Sequence, residues 1–176
     1  DVQAVGLALL PAAFLHFSDI LLRSTGSLSP VRRAVVVAAY VLGGLWLALI
    51  LSGDLVLAGP VLMAWGTHYQ AGPIYPAFAI YTIALTVWSL YNFVRARSRC
   101  LTSSLRRRMG YLTVSFIAPA LGMIPYLLTT YLTTLPDVLL VLFPLAASIG
   151  VAPMMAVQAY IVSYQGVQLP DRVIKQ

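Results

Sequence analysis

"RARSRCLTSSLRRRMG", residues 95–110, carries six arginines and no acidic residue. The whole chain of 176 residues has only 11 basic and 5 acidic side chains. A basic run of this kind points to nucleic acid, an acidic partner or a membrane. Composition chooses among them. Hydrophobic residues make up 60% of the chain, charged residues 9%, and mean hydropathy is +0.88. A water-soluble domain is about 45–50% apolar and about 25% charged. A pI near 9.8 would suggest nucleic acid for a soluble chain. Too little polar surface remains here to display such a patch, so no nucleic acid partner is expected.

A helix that crosses a membrane needs about 20 predominantly apolar residues. Five stretches meet that length: 2–22, 31–51, 73–94, 109–131 and 136–163. The expected fold is therefore all-α. It is a polytopic integral membrane protein, a single domain over 1–176, with five transmembrane helices in a kinked bundle. "DLVLAGPVLMAWGTHYQAG" (54–72) is also apolar, but Gly59, Pro60 and Gly66 interrupt it. It reads as a loop or interface-lying segment within an extracytoplasmic loop 52–72, with a sixth span as the alternative. Trp65 and Tyr69 suit a headgroup belt.

The basic residues now acquire a place. Arg23, Arg32 and Arg33 flank the connection between spans one and two. Arg95, Arg97, Arg99, Arg106, Arg107 and Arg108 lie in or beside the loop 95–108 between spans three and four. Arg172 and Lys175 follow span five. All fall on one side, and the opposite loops, 52–72 and 132–136, contain none. Short loops rich in Lys and Arg remain cytoplasmic. This puts the N-terminus outside and the C-terminus inside, as an odd number of spans requires. Beyond fixing topology, the loop has a second reading: binding anionic lipid, at about 1 kcal/mol per basic residue near the surface.

Polar groups within spans are candidates for function. "FLHFSDILLR" (14–23) supplies His16, Ser18 and Asp19. His16 and Asp19 are three apart and share a helix face. Asp19 either pairs locally, with Arg23 or His16, or belongs to a ligand or proton site. Neutral imidazole is a common metal ligand, but His16 and His68 fall in opposite halves of the bilayer. A bis-histidine haem within this chain is thereby disfavoured, leaving ligation of a pigment or haem by a single histidine. Trp65, His68 and Tyr69 are expected on the rim of an outer pocket. Prolines inside spans (Pro11, Pro119, Pro125, Pro144, Pro153 and the borderline Pro76) read as kinks in a packed bundle or as hinges. Gly43, Gly44 and Gly122 permit close helix approach. The single cysteine, Cys100, excludes an internal disulfide and any multi-cysteine metal site. With no carboxylate pair, nucleophile constellation or Gly-rich phosphate loop, no enzyme is expected. The chain begins at Asp1 rather than Met, and a processed, trimmed or incomplete start is expected.

Four stretches carry a family resemblance. "AYIVSYQGVQLPDRVIKQ" (159–176) resembles the exit of the seven-helix membrane region at the N-terminus of certain bacterial sensor histidine kinases. That exit runs into a Leu-Asp-x-Asp-x-Val-Ile stretch, which Leu169, Asp171, Val173 and Ile174 match, with Pro170 and Arg172 at the intervening positions. "FLHFSDILL" is similar to the family's Leu-His-hydroxyl segment, although Leu21-Leu22 replace its usual Phe-Pro ending. "GPIYPAFAIY" (72–81) is similar to its Gly-Pro entry to a span, and "LRRRMGYLTVSF" followed by "IPYLL" to the next span with its basic lead. The resemblance implies that the five spans are helices three to seven of that region. It implies a sensing or docking module in a bacterial cytoplasmic (inner) membrane, without the kinase portion. The expected function is then ligand or bilayer sensing coupled to a cytoplasmic partner. The alternative is an accessory or scaffold subunit of a larger respiratory or photosynthetic complex. Expected partners are the lipid bilayer and other membrane subunits or a second copy of the chain.

Overall fold

The computed structural model describes residues 2–27, 29–63, 66–103, 105–107, 109–117, 127 and 137–165. Trp65, Arg108, Pro119, Gly122, Pro125 and residues 166–176, which hold most of the C-terminal resemblance, lie outside them. The structure is mostly helical. α1 covers Val2–Ser24, α2 covers Pro30–Ser52 and α3 covers Tyr75–Ser98. Helical backbone over 109–117, here α4, precedes α5 at Asp137–Gln165. Among the described residues, three helices are long and apolar enough to cross a membrane: Ala4–Ser24, Pro30–Ser52 and Tyr75–Ser98.

The prolines divide by position. Pro30 and Pro76 occupy the first turns of α2 and α3. There the missing N–H has no intrahelical partner to lose, and the fixed φ favours helix. Pro76 thus starts its helix instead of kinking it. Pro11, Pro144 and Pro153 lie inside helices that continue past them.

Segment 54–72 departs from the all-α expectation. Leu57–Met63 (β1) and Gly66–Ala71 (β2) pair antiparallel, from Leu57 opposite Ala71 to Met63 opposite Gly66. The glycine and proline that read as breakers are absorbed by an irregularity. The register shifts between Ala58 and Pro60, leaving Gly59 as the extra residue. A bulge is where a strand tolerates a residue with no N–H to donate. Gly72 closes the base of the hairpin: its N–H donates to Val56 O at 2.9 Å. A Cβ there would come within 2.2 Å of Leu55 O, so only glycine fits.

α1 is the central helix and packs against both α2 and α3. Its buried positions Ala8, Ala12, Leu15, Asp19 and Leu22 recur every three or four residues, one stripe of a helix. α2 crosses tightly at Gly43. A Cβ there would lie 3.0 Å from Ala8 O and 3.1 Å from the Tyr81 hydroxyl, whereas Gly44 faces open space. Tyr81 Oη donates to Ala39 O at 3.0 Å across the same crossing. α4 docks on α1 and α3 through Phe116, which meets Phe14 at 5.0 Å, Phe17 at 5.1 Å and Phe93 at 4.8 Å between ring centroids. Aromatic pairs of this kind contribute about 0.5–1.5 kcal/mol each beyond area burial.

The bundle has two distinct ends. At one, Val56, Tyr75, Phe78 and Leu127 form a core under the hairpin. At the other, Leu22, Ala96, Cys100 and Met109 bring together α1, α3 and the start of α4. Arg97 and Arg106 lie beside that second core, and Arg23 follows Leu22 directly; we call it the arginine end.

The glycine pair gives a discriminating test. Gly43→Leu overpacks the crossing and is expected to lower stability by about 1–3 kcal/mol, while Gly44→Leu leaves it within about 0.5 kcal/mol. Unfolding midpoints of the purified variants check this. Equal effects at both positions would contradict the crossing.

Candidate functional site

Along α3 the sequence reads "YTIALTVWSLYNFV" (81–94), and its polar residues are not scattered. Thr82, Thr86, Ser89 and Asn92 follow at intervals of four, three and three, and all four are buried. Ile80, Val87 and Val94, by contrast, are 69%, 54% and 58% exposed on the opposite side. α2 repeats the pattern outward, with Val37, Val41 and Leu45 exposed. Over this stretch α3 is inverted relative to a helix of a water-soluble bundle: its polar groups face inward and its aliphatic side chains face out. Most of the buried hydroxyls bond back to their own helices, while Thr82 Oγ1 has no hydrogen-bond partner among the described residues. Thr86 donates to Thr82 O at 2.8 Å, Ser89 to Leu85 O at 2.7 Å and Thr113 to Met109 O at 2.7 Å. Such bonds satisfy a hydroxyl without water.

The stripe ends on a charged centre. Asp19, 1% exposed, forms ion pairs with Arg23, one turn along α1, and with Nε of Arg32 on α2 at 3.3 Å. Arg32 also donates from Nη1 to Ser27 Oγ at 3.1 Å and from Nη2 to Ser27 O. Its guanidinium thus binds the turn between α1 and α2 to the carboxylate. The ion pairs are contacts of charge rather than aligned hydrogen bonds: neither Asp19 oxygen has a hydrogen-bond donor among the described residues. One residue earlier, Ser18 Oγ donates to Leu15 O at 2.8 Å and accepts from Asn92 Nδ2 at 3.1 Å, tying α1 to α3. Leu15, Asp19, Arg32, Val35, Trp88 and Asn92 line a cleft of about 10 Å³ beside the pair, room for about one water. Removing one partner of a buried ion pair costs about 3–5 kcal/mol. A polar side-chain bond between apolar helices is worth about 0.6 kcal/mol and at most about 1.7. The Asp19 pairs therefore dominate this centre.

The structure distributes the remaining candidates. His16 does not meet Asp19. Its Nδ1 lies 3.3 Å from Tyr40 Oη on α2, and the two rings meet edge to face at 5.7 Å. His68 and Tyr69 are on β2, opposite Val61 and Pro60, and Tyr69 is exposed. β2 follows the far end of α2, about 30 Å from Arg32 at 1.5 Å per residue. His16 and Asp19 therefore belong to the arginine half and His68 and Tyr69 to the hairpin end, while Trp65 lies outside the described residues. Arg95, Arg97, Arg99, Arg106 and Arg107 are exposed. Arg97 packs its guanidinium over Gly110, and Arg106 Nη2 donates to Cys100 O at 3.2 Å. Burial raises the pKa of the Cys100 thiol, an effect the Arg106 charge partly opposes. Among the described residues no group of three or more His, Cys, Asp or Glu side chains is placed to hold a metal ion.

Ser18 stands among the polar candidates of the sequence; Arg32, Tyr40 and Asn92 do not. The spacing of Thr82, Thr86, Ser89 and Asn92 held the signal for an inward polar face. Arg32 held none, because its pairing with Asp19 exists only once α1 and α2 lie side by side. No family model, curated protein or solved structure matches the chain.

Asp19→Asn is expected to lower stability by up to about 3–5 kcal/mol, Arg32→Gln by less because Arg23 still faces the carboxylate, and the double variant is expected to lose clearly less than the sum. Equilibrium unfolding of the four proteins measures the coupling. Strict additivity would show that the two charges do not support one another.

Proposed function

We infer that the chain is a non-catalytic membrane module that senses a ligand or the bilayer and passes a helix shift to a cytoplasmic partner. The observation that carries this reading is the inverted face of α3, with Thr82, Thr86, Ser89 and Asn92 inside and Ile80, Val87 and Val94 outside. In water, aliphatic surface on this scale would drive association. In lipid it meets its own solvent, and polar groups must find partners within the bundle. The arginines then set orientation by the positive-inside bias. The arginine end faces the cytoplasm, and the hairpin with Asp54 faces outward. A cytoplasmic bacterial membrane follows from the resemblance to sensor kinase input regions.

The sensing part of the reading rests on where the charges sit. Asp19 joins α1 to α2 through Arg32, and Ser18 joins α1 to α3 through Asn92. These ties lie at the end from which the basic loop departs. A change in helix spacing there reaches the loop directly, provided the input favours one of two arrangements. A second reading, an accessory subunit of a larger membrane complex, draws support from α5. Val138, Leu142, Leu145, Ile149 and Met155 are exposed along its length, a surface suited to a neighbouring subunit.

Spin labels at Thr25 and Ser103, with Cys100 replaced by serine, separate the two. In vesicles of short and long acyl chains the module reading expects the label distance to shift by about 1–2 Å, and Asp19→Asn to abolish the dependence. A distance unaffected by both changes would favour the scaffold.

A further inference from the structure

α2 is the outermost of the three core helices: only Val36, Ala39 and Gly43 along it are buried. Its outward side is not smooth. Small side chains at Ala34 and Ala38, between Val37, Val41 and Leu42, leave a shallow, open groove along this one helix that begins at Pro30 and Arg33. From Pro30 to Leu42 the groove runs about 18 Å along the helix. Half of a hydrocarbon core is about 15 Å. The groove therefore covers one leaflet, from the headgroup level to the midplane.

Its charged end is unbalanced. Asp19 faces Arg23 and Arg32, while Arg33 is exposed and has no acidic partner among the described residues. Three arginines against one aspartate leave this corner with a net charge of +2. An apolar furrow one leaflet long, headed by an unpaired guanidinium, is complementary to an amphiphile with an anionic head. A second copy of the chain fits less well. Two copies in the same orientation, joined about a twofold axis through this face, would bring Arg33 against Arg33.

We propose that this groove binds one anionic phospholipid of the cytoplasmic leaflet, with the phosphate on Arg33 and an acyl chain along Ala34, Val37, Ala38 and Val41. The assignment rests on the membrane reading above. It places a specific lipid against the helix whose Arg32 holds Asp19, and so gives lipid composition a route to the buried ion pair.

The test uses the full chain in vesicles of equal parts phosphatidylglycerol and phosphatidylcholine, with retained lipid read by native mass spectrometry. Wild type is expected to retain phosphatidylglycerol preferentially. Arg33→Gln should reduce that preference about fivefold, the equivalent of about 1 kcal/mol per basic residue at an anionic surface, and Arg33→Lys should keep most of it. Ala38→Phe fills the groove and should remove retained lipid of either headgroup, with helicity unchanged by circular dichroism. An Arg33→Gln variant with the wild-type preference, or an Ala38→Phe variant that retains as much lipid, would overturn the proposal. So would disulfide cross-linking of two copies through Ala38→Cys, which would assign the face to a second copy. Release of the chain from the vesicles by alkaline carbonate would overturn the membrane reading itself, and the lipid site with it.

Discussion

A buried carboxylate must be matched by positive charge at contact distance, and Asp19 meets that demand from two directions. Arg23 reaches it from one turn along the same helix, Arg32 from the start of the next. The second contact fixes more than charge. It sets the angle of the turn between α1 and α2, because the same guanidinium also holds Ser27. With α2 placed, Gly43 meets the backbone of Ala8, and Tyr81 of α3 closes over Ala39. The three helices are thus located by one ion pair at the arginine end and one tight crossing nearer the hairpin.

The polar stripe of α3 follows from the same constraint. Helices whose outer faces meet hydrocarbon gain nothing from burying aliphatic groups against one another, because lipid is equally apolar. Small polar residues can line the interface instead: Thr86 and Ser89 bond to their own helix backbone, and Asn92 reaches across to Ser18. Large side chains gather at the ends, in the Phe17, Phe93 and Phe116 group and in the Trp46, Phe78 and Tyr81 group. Between them Ala12, Leu15, Val36 and Ala39 form a small apolar cluster beside the polar stripe, and Asp19 and Asn92 sit next to the Phe17 and Phe93 group, toward the arginine end. That division leaves a charged, hydrogen-bonded centre linking three helices near the loop that carries most of the arginines.

Much of the helical architecture was legible in the sequence, because runs of about 20 apolar residues bounded by Ser, Pro and Arg leave few alternatives. The choice of Asp19 as a candidate was legible too, since a carboxylate inside such a run requires a partner. Its local pairing with Arg23 was one of the alternatives open from spacing alone. The hairpin was not legible. Gly59 and Pro60 are normally terminators, and only the cross-strand register shows that a bulge absorbs them. The difference between Gly43 and Gly44 was likewise hidden, because adjacent residues point about 100° apart and the sequence does not say which direction holds a neighbour. His16 shares a helix face with Asp19 by spacing, yet Tyr40 lies nearer in space and takes it.

The account depends on the outer faces of the core helices meeting lipid. Spin labels placed one at a time along α3 measure this directly, through collisions with oxygen, which partitions into hydrocarbon, and with a water-soluble nickel chelate. Labels at Ile80, Val87 and Val94 are predicted to collide with oxygen and to be shielded from nickel, while labels at Thr82 and Ser89 are shielded from both. Free access of the nickel chelate to Ile80, Val87 and Val94 would place that face in water and contradict the account.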